Sequence, residues 1–468
     1  MNTPKALLTA LLVPLGATLA VAPAASATTP PAPPATSASA VAAASVGPEE
    51  AAAAALRSPE AALGRAAHPL RTTDPRGGLA DLRPFGRMVG DARVVGLGEA
   101  THSSHEFLTV KHRVLRYLVE EKGFRAFALE APWSTGLRLD AYLLRGEGDL
   151  KRIMDEEFQG TYRWWNNAEY RDLLRWMRAY NVEHPDDPVR FVGDDGGFAG
   201  AELYDEVSAY AAAARPELAP RLTELYRGLR PATDAETYVD DYLSKPMAER
   251  RELAERTGRA VDLLKQRPGT DADAHAWAVQ HATAIHQMTT LFAFDWDDPQ
   301  GVADAMLHRD RIMAENVAWW QQQTGDKIVL AAHNSHIALR TYVPGTYPKV
   351  QGDFLREQLG GGYLSVGLTF GRGSFNAFGH DGGVHRFTVG PAEPGTAEHT
   401  LDRVRHRDFM VDLRNAPAAA RAWLATPHTV KNIGATYPGI ADAPRIRLAQ
   451  AHDVVLHLQQ VEAARLLP

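Results

Sequence analysis

At 468 residues, 45% hydrophobic and 23% charged, the chain has the make-up of an ordinary soluble protein, long enough for two or three average domains or one large one. A formal net charge of -7 leaves no basic footprint for a nucleic acid. With no cysteine, the chain cannot use disulfides, thiolate catalysis or thiolate metal sites, and its stability must come from its core.

Residues 1–27 read as a secretory signal. Lys5 supplies a weak positive start, Ala6 to Ala20 an apolar run, and Ala25-Ser26-Ala27 a small-x-small cleavage site. Pro14 and Gly16 break the run, which is short for a membrane span, although an uncleaved anchor is the alternative. No membrane insertion is expected once the signal is removed, so the mature protein is expected to be secreted. Residues 28–48, rich in Pro, Ala, Ser and Thr, read as a disordered linker. Residues 49–468 read as one catalytic unit of α/β class, a mostly parallel sheet flanked by helices.

Arg93-Val-Val-Gly-Leu-Gly-Glu-Ala-Thr-His102 organises that unit. A short buried strand, Arg93 to Leu97, runs into a Gly-rich turn and releases Glu99 and His102. Ser103 and Glu106 are spaced as a capping box for a helix over Ser104 to Lys122, stopped by Gly123. Lys111 falls in the middle of that helix's apolar face. An ammonium group aimed at a core needs a carboxylate. The next strand, Phe124 to Leu129, ends in one, Glu130. A salt bridge that merely locks the βαβ unit is the bland reading of Lys111 and Glu130. Glu99 and His102 beside them favour a site.

The aromatic segment Phe158 to Tyr170 follows, with Trp164, Trp165 and Asn166 as candidate substrate-binding residues; buried core aromatics are the competing reading. After a helix from Ala168 to Asn181, Pro188 to Gly193 reads as a third strand. It ends in Asp194 and Asp195, either site residues or caps for the next helix. Most segments of residues 199–323 have helical character, and the stretch reads as a lobe or lid over the sheet. The fourth strand, Lys327 to Ala332, repeats the first design and ends in His333-Asn-Ser-His336. In open α/β sheets the site lies at the carboxyl ends of the strands, which puts Glu99, His102, Glu130, His333 and His336 on one rim. A fifth strand spans Tyr363 to Phe370, a helix Ala416 to Leu424 and a last strand Val454 to Leu458. No phosphate-binding GxGxxG or GxxxxGK[ST] occurs.

Gly98-Glu99-Ala-Thr-His102 with Glu106-Phe107, Lys111-His-Arg113 and Glu130 resembles the opening motif of the erythromycin esterase family. Trp176-Met-Arg178 with Tyr180-Asn181, Arg309-Asp310 with Met313-Ala-Glu-Asn316 and Trp319, and Ala332-His333-Asn334-Ser335-His336 resemble its later motifs, in the family's order, from about residue 80 onward. The resemblance implies a hydrolase unrelated to the Ser-triad fold that opens macrolactone rings of macrolide antibiotics and confers resistance to them. It makes the histidine matching His102 the general base that activates water, helped by the glutamates matching Glu99 and Glu130 and the histidine matching His333. Lys111 stands where well-known members carry arginine, which keeps the charge but loses the bidentate fork.

An ester needs a nucleophile, a base and a stabiliser for the oxyanion. No GxSxG elbow is present, so histidine-activated water is the economical choice. His102 would take the proton, Glu99 or Glu130 would orient it, and Lys111 would hold a glutamate or polarise the carbonyl. His333 or His336 would donate to the oxyanion or the leaving alkoxide. The partner is then a small-molecule ester and no cofactor is required. Two alternatives stand beside it. Glu99, His102, His105, Glu130, His333 and His336 could bind a divalent metal in a metal-dependent hydrolase. The same residues could also hold a polyketide-like ligand without turnover.

Overall fold

Val94, Val95 and Leu97 are apolar and almost wholly buried, as a central parallel strand covered on both faces requires. In the computed structural model, which describes residues 58–266, 269–437 and 443–468, they form β2 (Val94–Leu97). The expected signal and linker lie outside the described residues. On either side of β2, and parallel to it, run β5 (Lys327–Ala331) and β6 (Tyr363–Phe378). Beyond β5 come β3 (Phe124–Pro132) and β4 (Arg190–Asp195), also parallel. Beyond β6 come β11 (Val454–Val461), parallel, then β8 (Phe409–Asp412) and β1 (His68–Pro69), antiparallel. With β7 (Val384–Val389) paired to β6, this makes a nine-stranded, mostly parallel sheet. A separate two-stranded sheet joins β9 (His428–Thr429) to β10 (Arg445–Ile446).

Successive strand residues face opposite helical layers, as the pleat dictates. Val95, Leu97, Phe127, Leu129, Val329 and Ala331 pack with the helices His105–Lys122 and Ala168–Glu183. Val94, Ala126, Ala128, Ile328 and Leu330 pack with Ala272–Leu291, Pro299–Thr324 and Gln351–Leu359. The β2-to-β3 crossover therefore lies on one face and the β5-to-β6 crossover on the other. The carboxyl ends of β2 and β5, between them, form the switch point at which such sheets bind ligands.

Several elements differ from expectation. The capping box does not form. The Ser103 hydroxyl accepts from Asn376 Nδ2 at 3.0 Å, and Glu106 Oε2 accepts from the backbone of Glu462 at 2.6 Å. Residues 462–464 run against the helix start instead, where the His105 N–H donates to Glu462 O at 2.7 Å and the Ala464 N–H donates to Ser103 O at 3.1 Å. Asp194 and Asp195 do not cap the following helix, whose N-cap is Gly200. Strand β6 runs eight residues past its expected end at Phe370 and β11 runs to Val461. The helices between β4 and β5 form the sheet's second cover, and the last of them packs directly on β4. No helix among the described residues is long and apolar enough to cross a membrane.

Candidate active site

Glu99 follows the last residue pair of β2 and has no solvent exposure. Its Oε1 accepts from His102 Nδ1 at 2.8 Å and its Oε2 from Lys111 Nζ at 2.5 Å. Lys111 reaches this point because it lies on the inner face of the helix that leaves the same turn. The carboxylate it meets is therefore Glu99, and not Glu130 at the end of the next strand. The imidazole of His102 stands edge-on to Trp165, with ring centroids 5.2 Å apart at 88°. Trp165 is itself fixed, its indole N–H donating to Glu130 O at 2.8 Å.

Glu130 sits where the β3–β4 register shifts, between Leu129 and Pro132. Such a bulge re-aims a side chain. Its Oε1 lies 2.9 Å from Arg309 Nη2 and 3.5 Å from His336 Nε2; Oε2 accepts from the backbone of His333 at 3.2 Å. Burial raises a carboxyl's pKa, but His336 and Arg309 outweigh it and hold Glu130 well below the usual carboxylate range. Arg309 also clasps Asp195, its Nη2 2.6 Å and its Nε 3.1 Å from the carboxylate, and Tyr162 donates to Asp195 at 3.0 Å. His336 Nδ1 lies 2.7 Å from Asp310 Oδ1. Burial works against its proton, yet Asp310 and Glu130 raise its pKa above the ordinary value. Asp194, buried and bonded to Gln351 Nε2 at 2.7 Å, is pushed well up the scale by its burial. Tyr162 in turn lines a cavity shared with Pro132, Gln159, Phe198 and Val239.

His333 differs from both other histidines. Its Nδ1 accepts the Ser335 backbone N–H at 3.3 Å, as the N-cap of the short helix Asn334–Ile337. Burial first, then the neighbouring His102 and His336, push its pKa well below the ordinary value. It is therefore neutral, and with Nδ1 accepting, its proton sits on Nε2. That Nε2 is buried and makes no well-formed hydrogen bond, with the Ala100 backbone beside the ring. The rings of His102 and His333 lie 5.1 Å apart. In the neutral ring of His102, Nδ1 donating to Glu99 leaves the lone pair on Nε2. One imidazole is thus set to take a proton and its neighbour to give a hydrogen bond.

The structure brings Glu99, His102, Lys111, Glu130, His333 and His336 together, each at most 5% exposed. Trp165 joins them. Trp164 turns onto Phe378, with centroids 4.8 Å apart, and Asn166 donates to Asp155 at 3.2 Å. His105 pairs with Glu169 at 2.6 Å instead of facing His102. Among the described residues no group of three or more His, Cys, Asp or Glu could hold a metal ion. The donors proposed for one are divided among Lys111, Arg309 and Glu169. Arg309, Asp310 and Tyr162 complete the charge network with Asp195; the first three had no role of their own from the sequence, and Asp195 stood open between site residue and helix cap. The available signal was the adjacent charged pair Arg309-Asp310 within a segment otherwise rich in apolar residues such as Met306, Ile312 and Met313.

A family model described as erythromycin esterase matches residues 119–461. An erythromycin esterase type II from Escherichia coli is 22% identical over 325 residues, covering 64% of this chain and 74% of that protein. A crystal structure of a Bacillus cereus protein superimposes with a TM-score of 0.79 at 32% identity, covering 87% of this chain and 98% of that one. A mutant of the erythromycin esterase EreC, in its open conformation, superimposes with a TM-score of 0.64 at 18% identity over 83% of this chain and 96% of its own, a likeness of fold.

Proposed function

The chain belongs to the erythromycin esterase family, and from that membership and the geometry of its buried histidines we propose that it is an exported hydrolase that opens a carboxylic ester, the macrolactone of a macrolide-like compound, with water activated by His102. The observation that carries the reading is the pair of opposed imidazoles: His102 with its Nδ1 on Glu99, and His333 with a buried Nε2–H that makes no well-formed hydrogen bond, 5.1 Å between ring centres.

His102 Nε2 removes a proton from water as the oxygen attacks the ester carbonyl carbon. The C=O electron pair moves onto oxygen, and the His333 Nε2–H donates to that oxyanion. The tetrahedral intermediate collapses, the C–O bond to the alcohol breaks, and His102 returns its proton to the departing alkoxide. Ester and water become acid and alcohol. Glu99 holds His102 in the required tautomer and stabilises the imidazolium that forms during the reaction, and Lys111 holds Glu99 in place. Glu130, clasped by Arg309 and beside His336, supports Trp165 and the backbone of His333. Lysine suffices at position 111 because a single oxygen of Glu99 faces it; the other is spent on His102.

The test is a panel of macrolides incubated with the purified protein and read by mass spectrometry. A product heavier by one water supports the reading. Saturable binding with every ligand recovered unchanged overturns it in favour of sequestration.

A further inference from the structure

Strand β2 stops at Leu97 while its neighbour β6 continues to Phe378. The last ladder bond from the β2 side is Gly98 N to Val366 O, at 2.9 Å. The next backbone pair of β6 on that side, at Leu368, would be left bare. Asn334 fills the gap. Its Nδ2 donates to Leu368 O at 2.8 Å and its Oδ1 accepts the Leu368 N–H at 3.0 Å, so the side-chain amide takes the place of a peptide group in the ladder. Its backbone N–H donates to Glu99 O at 2.9 Å. The fit leaves no slack: Asn334 is 2% exposed, and a Cβ on Gly98 would come 2.0 Å from its Oδ1.

Asn334 lies between His333 and His336 in sequence and touches the loop that carries Glu99 and His102. We propose that Asn334 is a positioning residue that sets the separation of His102 and His333 by registering both catalytic turns on β6. The inference rests on the hydrolytic reading above for its consequence in turnover, but its geometric part stands apart from it. An amide is needed because Leu368 presents one donor and one acceptor. Aspartate has the same shape but sets a second oxygen against Leu368 O.

The structure also supplies a matched control. Asn181 makes the same kind of pairing with Val189, its Nδ2 2.9 Å from the carbonyl and its Oδ1 accepting the N–H at 2.7 Å. Val189 precedes β4, at the opposite end of the sheet from the histidines. Asn334→Asp and Asn181→Asp thus disrupt the same kind of buried pairing, one beside the site and one remote from it, and Asn181→Asp also gives up a donation to Leu143 O at 3.2 Å. Gly98→Ala is the third variant, pushing the Asn334 amide off Leu368 without changing its chemistry.

On a substrate that the wild type turns over, Asn334→Asp and Gly98→Ala are expected to lower kcat about 100-fold with KM within about threefold, the cost of misplacing reacting groups by about 1 Å. Asn181→Asp is expected to lose thermal stability with wild-type kcat. In a crystal structure of Asn334→Asp or Gly98→Ala the His102–His333 separation should depart from 5.1 Å. Equal loss of kcat in the two aspartate variants, or an unchanged ring separation, overturns the inference. If the wild type opens no ester, the hydrolytic reading has failed, and the crystal structures still decide whether Asn334 sets the pair.

Discussion

Arg309 offers a sharp test of how the site is held together. Its guanidinium lies 2.9 Å from Glu130 and 2.6 Å from Asp195, and the three side chains are at most 3% exposed. Arg309→Met removes the charge, leaving two carboxylates buried with His336, Tyr162 and the backbone N–H groups of His333 and Gly196 as their remaining partners. Breaking a buried pair in this way costs about 3–5 kcal/mol, because the orphaned charge stays desolvated. The loss is read from urea unfolding at constant m. Arg309→Lys should fall between wild type and Arg309→Met, since an ammonium cannot fork across both acids. The effect also has a pH signature. Glu130 is held below its ordinary value of 4.5, so it contributes stability above that pH and gives it up as pH falls through the carboxylate range. The gap between wild type and Arg309→Met should therefore be widest near neutrality and close on acidification. A loss under about 1 kcal/mol, the range of an exposed pair, would refute the reasoning.

Other consequences are equally open to measurement. His333→Ala should lower kcat by about 100- to 1,000-fold, the cost of one oxyanion donor, with little change in KM; unchanged kcat in steady-state kinetics would remove it from the reaction. Burial holds His112 and His452 near pKa 3 and His281 near 4. Each is neutral in the fold and takes a proton more readily when unfolded. Their stability is present above the ordinary 6.5 and is lost as pH falls from there toward 4, at about 1.4 kcal/mol per pH unit for each. Carboxyls raised by burial, Asp194 and Glu202 among them, oppose this trend, so the histidine effect is read as the difference between wild type and a His112→Phe variant. A difference in melting temperature between the two that stays flat from pH 6.5 to 4 would contradict it. Dialysis against a chelator should leave hydrolysis at its full rate; loss of activity restored by a divalent ion would favour the metal-dependent reading.

The rim of the sheet was legible because the sequence marks it sharply. Apolar runs such as Val94 to Leu97 and Ile328 to Ala331 have few other uses than a buried strand, and the polar residues that end them had to lie at one edge. Lys111 was legible as a core-facing cation, but its partner was not. Glu99 and Glu130 end different strands, and only the packing of the Pro299–Thr324 helix, which delivers Arg309 to Glu130, decides between them. Arg309 and Asp310 were hard to read because that helix is buried on most sides, so its periodicity singles out no face. Trp164 and Trp165 are adjacent and alike in composition. They part only because Trp165 finds the Glu130 carbonyl and Trp164 packs on Phe378. The capping box failed for a related reason: a segment more than 350 residues away reaches Glu106 first.

The most direct test of the proposed chemistry is the rate of His102→Gln on a macrolactone that the wild type opens, followed in ¹⁸O-water. The wild type should place one labelled oxygen in the new carboxylate, and the variant, without its base, should be slower by about 100- to 10,000-fold. A variant that forms labelled product at the wild-type rate would show that water is activated elsewhere.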